Sequence, residues 1–201
     1  MFIPIYWAWV GMTMHANLHD VDRTRARLGV FAVAETGVVA GEHPATPARL
    51  AAVAVAFALA CALWWVYFAF AAEAIRHAVR TAEVAIEVIR PVLPYGHLAF
   101  IAGIIAIAAA TGEVILHPLE HLHTDVAALL FGGTALYLAT FGYTRWQMFH
   151  TVSTTRLTAT ALSLALLPQA GQVPAFGATA APAAMLVVLN VGEARNVPHP
   201  G

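Results

Sequence analysis

Glu35 stands in the middle of an apolar run, Leu28 to Ala40, and its i±3 and i±4 neighbours are Phe31, Ala32, Val38 and Val39. A carboxyl group placed in hydrocarbon costs several kcal/mol unless it is protonated or paired, so an intramembrane acid is a functional candidate by default. Two chemistries fit it: a general acid acting on a lipid-like or isoprenoid substrate, and a proton carrier in coupled transport of a small solute. The plainer alternative is a neutral Glu35 that hydrogen-bonds to a neighbouring helix. A second group starts at Glu113 and His117, which share a helix face at i, i+4 spacing; Glu120, His121, His123 and Asp125 follow Pro118. Glu113 is a second candidate general acid. Imidazole and carboxylate at this density suit zinc or copper, with His117, His121, His123 and Glu113 as the ligand set. The spacing matches no named zinc motif, and a solvated His-rich loop is the alternative. His15 and His97 are polar residues in or near the membrane on the opposite side. They read either as interface caps or as entry points of a proton path through Glu35 to His117.

Other chemistries are absent. The chain has a single cysteine, Cys61, which excludes an intramolecular disulfide. It has no Gly-rich phosphate loop, no Ser-His-Asp order and no basic arm, and its net charge of −1 gives nucleic acid nothing to hold.

The elements that position these residues follow from composition. Of 201 residues, 60% are hydrophobic and 10% charged, whereas soluble domains carry roughly 25% charged residues. With a mean hydropathy of +0.73, the chain reads as an all-α, multi-pass transmembrane helical bundle of about seven spans plus one amphipathic surface helix. The spans are Phe2 to Met14, Leu28 to Ala40, Leu50 to Ala72, His97 to Leu116, Val126 to Tyr143, Leu157 to Leu167 and Ala175 to Leu189. In the fourth span Ala102, Ala106 and Ala110 recur every four residues and predict a smooth stripe for close helix approach. Between the third and fourth spans, residues 73–90 place Glu73, Arg76, Arg80, Glu83, Glu87 and Arg90 opposite an apolar face. That pattern predicts a helix lying on the membrane surface or against the bundle. Residues 1–192 form one transmembrane domain on this reading, and 193–201 a polar tail.

The arginines orient it. There is no lysine, and seven spans put Arg23, Arg25, Arg27, Arg76, Arg80, Arg90, Arg145, Arg156 and Arg195 on one side and Arg49 alone on the other. Basic loops stay in the cytoplasm, so the N-terminus is expected outside and the C-terminus inside. The expected partner is the lipid bilayer, with a homo-oligomer or a membrane partner left open.

Three stretches carry a family resemblance: Leu63-Trp64-Trp65-Val66-Tyr67-Phe68; Tyr95-Gly96-His97-Leu98 with Gly103-Ile104, Glu113 and His117-Pro118; and Gly132-Gly133-Thr134-Ala135-Leu136-Tyr137-Leu138. They resemble, in order, the C-terminal half of the bacterial low temperature requirement A (LtrA) family, and Tyr6 to Thr13 with Asn17, Asp20 and Asp22 resembles its first helix. The chain looks like a shortened member. The resemblance implies a multi-pass protein of the bacterial inner membrane, tied, as the family name suggests, to growth in the cold or under stress. It brings no established activity or catalytic residue.

Overall fold

The computed structural model describes residues 46–67 and 96–195. The first helix, α1 (Pro47–Val66), starts where the sequence supplies both ordinary start signals. Thr46 is extended, its hydroxyl accepts a bond from the Arg49 amide at 3.3 Å, and Pro47 occupies the first helical position. Then come α2 (His97–Leu116), the short α3 (Thr124–Ala127), a wide π-type turn at Ala128–Gly132 and α4 (Gly133–Phe149). The series closes with α5 (Thr154–Leu166), a 3-10 segment at Leu167–Gln172 and α6 (Ala175–Arg195). No strand is present among the described residues; the sole pairing there is an isolated antiparallel bridge between His121 and Pro174.

Among the described residues, four helical stretches are long and apolar enough to cross a membrane: Pro47–Val66, His97–Leu116, Thr124–Gln147 and Ala175–Arg195. The protein is all-helical and membrane-like there, and four of the expected spans coincide with these stretches. Spans one and two and the amphipathic helix at 73–90 fall outside the described residues, as do Glu35 and His15.

Contacts between helix ends divide the bundle into two poles. At the histidine pole, Arg49 Nε donates to the Ile115 carbonyl at 3.2 Å and Nη2 to the Leu116 carbonyl at 3.4 Å. The last carbonyls of a helix lack intrahelical donors and carry its negative end, so a guanidinium there satisfies both needs. The arginine set apart by sequence is thus the one that caps α2. At the same pole the Ala175 amide donates to the Glu120 carbonyl at 2.8 Å and the Phe176 amide to the Pro118 carbonyl at 3.1 Å, which ties the start of α6 to residues 117–123. At the arginine pole, the end of α1 meets the start of α2 through Tyr67 and Phe100, whose ring centroids lie 5.9 Å apart. There too Arg156 of α5 meets Glu193 of α6.

α5 has 13 residues, about 20 Å of helix at the usual rise, too little to cross a bilayer core of about 30 Å. The six-residue 3-10 segment continues it, adding about 12 Å. Together they join the arginine pole to the histidine pole, where Gly171 comes to rest against the Leu122 carbonyl. The expected span Leu157 to Leu167 is therefore the middle of a longer two-part segment.

Two local details add to the expectations. The small-residue seam of α2 takes in Gly103 with Ala106: a Cβ added at Gly103 would lie 2.9 Å from the Gly133 carbonyl oxygen and one added at Gly133 2.9 Å from Ala106 Cβ; Ala110 is buried, and Ala102 is exposed. At the C-terminal end, α6 runs to Arg195, and Glu193 pairs with Arg156.

α1 packs mainly on α6, α2 on α4 and α4 on α5. Their shared core is apolar and aromatic around Leu59, Leu63, Phe100, Ile107, Tyr137 and Leu186. Many large apolar side chains point outward, Leu98, Leu162, Leu164 and Val188 among them, as the lipid-facing side of a membrane bundle requires.

Candidate functional site

The histidine pole is built on the C-terminal end of α2. Pro118 prevents the helix from continuing, and His117 adopts a non-helical cap conformation whose amide still bonds the Glu113 carbonyl at 3.0 Å. The i, i+4 spacing does what the sequence predicts: His117 Nε2 lies 3.7 Å from Glu113 Oε1. The turn after Pro118 adds a partner the spacing alone did not assign, because His117 Nδ1 lies 3.0 Å from Glu120 Oε1. One imidazole is therefore held between two carboxylates, all half-exposed or more. Exposed pairs of this kind contribute little stability, on the order of 0–1 kcal/mol each.

His121 and His123 are also exposed. The backbone of His121 bridges to Pro174, which fixes the loop at the start of α6. Among the described residues, no three His, Cys, Asp or Glu side chains come together as a ready-made metal cage. His97 opens α2 at the other pole and is exposed.

A second site lies at the arginine pole. Arg156 Nη2 donates to Glu193 Oε2 at 3.0 Å and Nε to Oε1 at 3.2 Å, a two-pronged pair. The side chains are only 5% and 15% exposed. The Thr155 hydroxyl donates to Glu193 Oε1 at 3.2 Å, and the guanidinium carbon sits 4.6 Å from the centre of the Phe141 ring. The planar guanidinium suits both contacts at once, a carboxylate in its plane and an aromatic ring on its face. Phe141 continues into an aromatic cluster: its ring centroid is 4.5 Å from that of Phe100 and 5.3 Å from that of Tyr137.

Next to this cluster, buried polar groups tie α1 to its neighbours. The Tyr137 hydroxyl donates to the Leu63 carbonyl at 2.8 Å, and Asn190 Nδ2 donates to the adjacent Ala62 carbonyl at 3.1 Å. Higher in the bundle, the Thr134 hydroxyl donates to the Leu130 carbonyl at 2.7 Å and the Ser163 hydroxyl to the Phe131 carbonyl at 2.8 Å. Both acceptors lie in the wide turn, where the regular helix ladder is interrupted. In an apolar medium each such group needs a partner.

Sequence reading gave no site role to Arg156, Glu193, Asn190 or Tyr137. One signal was available: Glu193 is the sole Asp or Glu after Asp125, and an isolated acid at the end of an apolar helix calls for a basic partner.

The three quoted sequence stretches meet here. Leu63 comes from the first and Gly103 from the second. Gly133 and Tyr137 come from the third; the Tyr137 hydroxyl bonds the Leu63 carbonyl, and Gly103 packs against Gly133 and Tyr137, so the stretches touch across α1, α2 and α4. The family model for bacterial low temperature requirement A protein (LtrA) matches residues 32–191. The chain belongs to the LtrA family. The match takes in Glu35 and all three stretches and stops just before Glu193. The LtrA match and the four membrane-like helices together make this an integral membrane protein. No curated protein and no solved structure matches the chain.

Proposed function

We propose that this LtrA protein is a seven-span protein of the bacterial inner membrane that supports growth at low temperature or under stress as a non-catalytic membrane component. The observation that carries the orientation is the arginine distribution. Among the described residues, Arg145, Arg156 and Arg195 belong to one pole and Arg49 alone to the other. Basic residues accumulate on the cytoplasmic side, so the N-terminus is outside and the C-terminus inside on this reading. α1 ends and α2 begins at the same pole, in keeping with residues 73–90 as a surface helix of that side. Single cysteines at Thr124, Arg195 and Arg80 in a Cys61→Ala background test it. Arg195→Cys and Arg80→Cys are expected to react with a membrane-impermeant maleimide only after lysis, and Thr124→Cys before it. Labelling of all three from one side contradicts the arrangement.

The non-catalytic reading draws on the wiring of the core. Tyr137, Asn190, Ser163 and Thr134 direct their donors at backbone carbonyls, as in a bundle held rigid. Proton-coupled transport of a small solute is the second reading, favoured by the Arg156–Glu193 pair near the end of the spans. A membrane enzyme with Glu35 or Glu113 as general acid is the third. Growth of a deletion strain at low temperature, complemented with Glu35→Gln or Glu113→Gln, separates them. Full complementation by both is expected for the non-catalytic component. Loss of growth with normal membrane levels moves the function to proton transfer or catalysis.

Zinc or copper at the histidine pole is a further proposal. His117 is already engaged by Glu113 and Glu120, so binding requires His121 and His123 to turn toward it. Purified protein equilibrated with zinc is expected to retain the ion at neutral pH and release it below about pH 6, where imidazoles protonate. No retained metal by elemental analysis rejects the site.

A further inference from the structure

Asn190 stands on α6 three residues before Glu193 and is fully buried. In an apolar interior both ends of its amide need partners. Nδ2 donates to the Ala62 carbonyl at 3.1 Å. That bond fixes how the amide is turned, because only its nitrogen end can donate. The oxygen end, Oδ1, is buried and has no hydrogen-bond partner, the one side-chain N or O in that condition among the described residues.

The next carbonyl of α1 is also bonded by a buried side chain. Tyr137 of α4, 1% exposed, donates its hydroxyl to the Leu63 carbonyl at 2.8 Å. Ala62 and Leu63 are consecutive, about 1.5 Å apart along the helix axis, so α6 and α4 each bring a polar side chain to one point on α1. Tyr137 has spent its single hydrogen, but its oxygen can still accept. Two acceptors at one joint call for a molecule that donates twice. The carbonyls leave little for a metal cation. The Leu63 oxygen takes the Tyr137 hydroxyl and the Tyr67 amide, which fills both its lone pairs. The Ala62 oxygen takes Asn190 on top of its own helical bond. A hard cation needs about six oxygens, whereas a buried water donates twice and makes about three bonds to such groups. We propose that the joint of α1, α4 and α6 binds a water molecule, which donates to Asn190 Oδ1 and to the Tyr137 hydroxyl oxygen. The site depends on neither the orientation of the protein in the membrane nor any activity.

X-ray radiolytic labelling of the full chain in detergent micelles, read residue by residue by mass spectrometry, tests it. Hydroxyl radicals from bulk water mark exposed side chains, whereas a bound water forms them in place and marks its buried neighbours. Tyr137 and Phe131 belong to one continuous helical stretch and are 1% and 2% exposed, but only Tyr137 stands at the joint. In the wild type Tyr137 is expected to be labelled several-fold faster than Phe131. Asn190→Leu removes the acceptor and should bring Tyr137 down to the Phe131 rate. Asn190→Asp, which when protonated can donate and accept at the same two points, should keep most of the wild-type labelling. Equal rates for Tyr137 and Phe131 in the wild type overturn the site, and that comparison needs no variant to fold. A Tyr137 rate that stays the same or rises in Asn190→Leu overturns it in favour of bulk water entering as the helices part.

Discussion

Arg156→Leu is expected to be among the most damaging single changes in the described bundle, costing about 3–5 kcal/mol, because it leaves a carboxylate partly buried without its counter-charge. Glu193 would keep the Thr155 hydroxyl as a hydrogen-bond donor. The guanidinium also covers Phe141, so its loss exposes an aromatic face as well. Glu193→Leu strands the cation instead and should cost a similar amount. The double variant Arg156→Leu/Glu193→Leu is expected to recover much of the loss, since two apolar side chains in place of a buried pair are often neutral or stabilising. Arg156→Lys should fall between, keeping the charge but losing the two-pronged geometry and the stacking. Thermal unfolding in detergent, followed by tryptophan fluorescence, measures all four. A shift on the order of 10 °C for the single variants follows from the usual relation between stability and midpoint. Additive losses in the double variant would show that the two residues act separately.

That pair also shows where sequence reading stops. Long apolar runs are legible because the bilayer fixes a length, so α1, α2, the α3–α4 stretch and α6 could be placed from residues alone. The Glu113–His117 contact was legible because helical geometry brings i and i+4 together. Glu120 lies across Pro118, and its approach to His117 depends on a turn that spacing does not determine. Arg156 and Glu193 are 37 residues apart. Their meeting depends on the relative register of α5 and α6, and so on the two-part construction of the segment that begins with α5. Periodicity could not reveal that construction, since the apolar run stops at Leu167 and Pro168, Gln169, Gly171 and Gln172 read as a connecting loop.

The family stretches were visible as words in order, while their shared purpose was not. Tyr137 read as an aromatic in a span; in the structure it is 1% exposed and its hydroxyl bonds α1. Arg49 read as an exception to the charge rule, and it is better understood as a cap on the end of α2. In both cases the missing information was which neighbouring helix end lay alongside. The alanine stripe was legible in part: Ala106 faces Gly133 and Ala110 is buried, but Ala102 is exposed. Alanine and glycine both permit close approach, but only a glycine leaves room for a backbone carbonyl, and the contact formed where two glycines could face each other.

The same change made at two glycines of α2 is therefore expected to have opposite signs. At Gly103 an added Cβ would lie 2.9 Å from the Gly133 carbonyl oxygen and 3.2 Å from the Tyr137 amide nitrogen. Both obstacles are backbone, so neither can rotate away, and α4 must move off α2. Gly133→Ala meets the same seam from the other side, 2.9 Å from Ala106 Cβ and 3.0 Å from the Gly103 carbonyl oxygen. Overpacking typically costs about 1–3 kcal/mol, and Gly103→Val should reach the upper end or beyond because its branched side chain has no free direction. Separation of α2 from α4 would also loosen Phe100, Tyr137 and Phe141, whose rings pack across that seam. At Gly112 an added Cβ meets nothing within 4 Å. Gly112→Ala should then gain up to about 1 kcal/mol, the ordinary preference of a helix interior for alanine. Thermal midpoints of Gly103→Ala, Gly103→Val and Gly112→Ala in one detergent make the comparison. Loss at Gly103 in both variants with a gain at Gly112 is the expected pattern. A Gly103→Val protein as stable as the wild type would mean that α2 and α4 do not approach this closely.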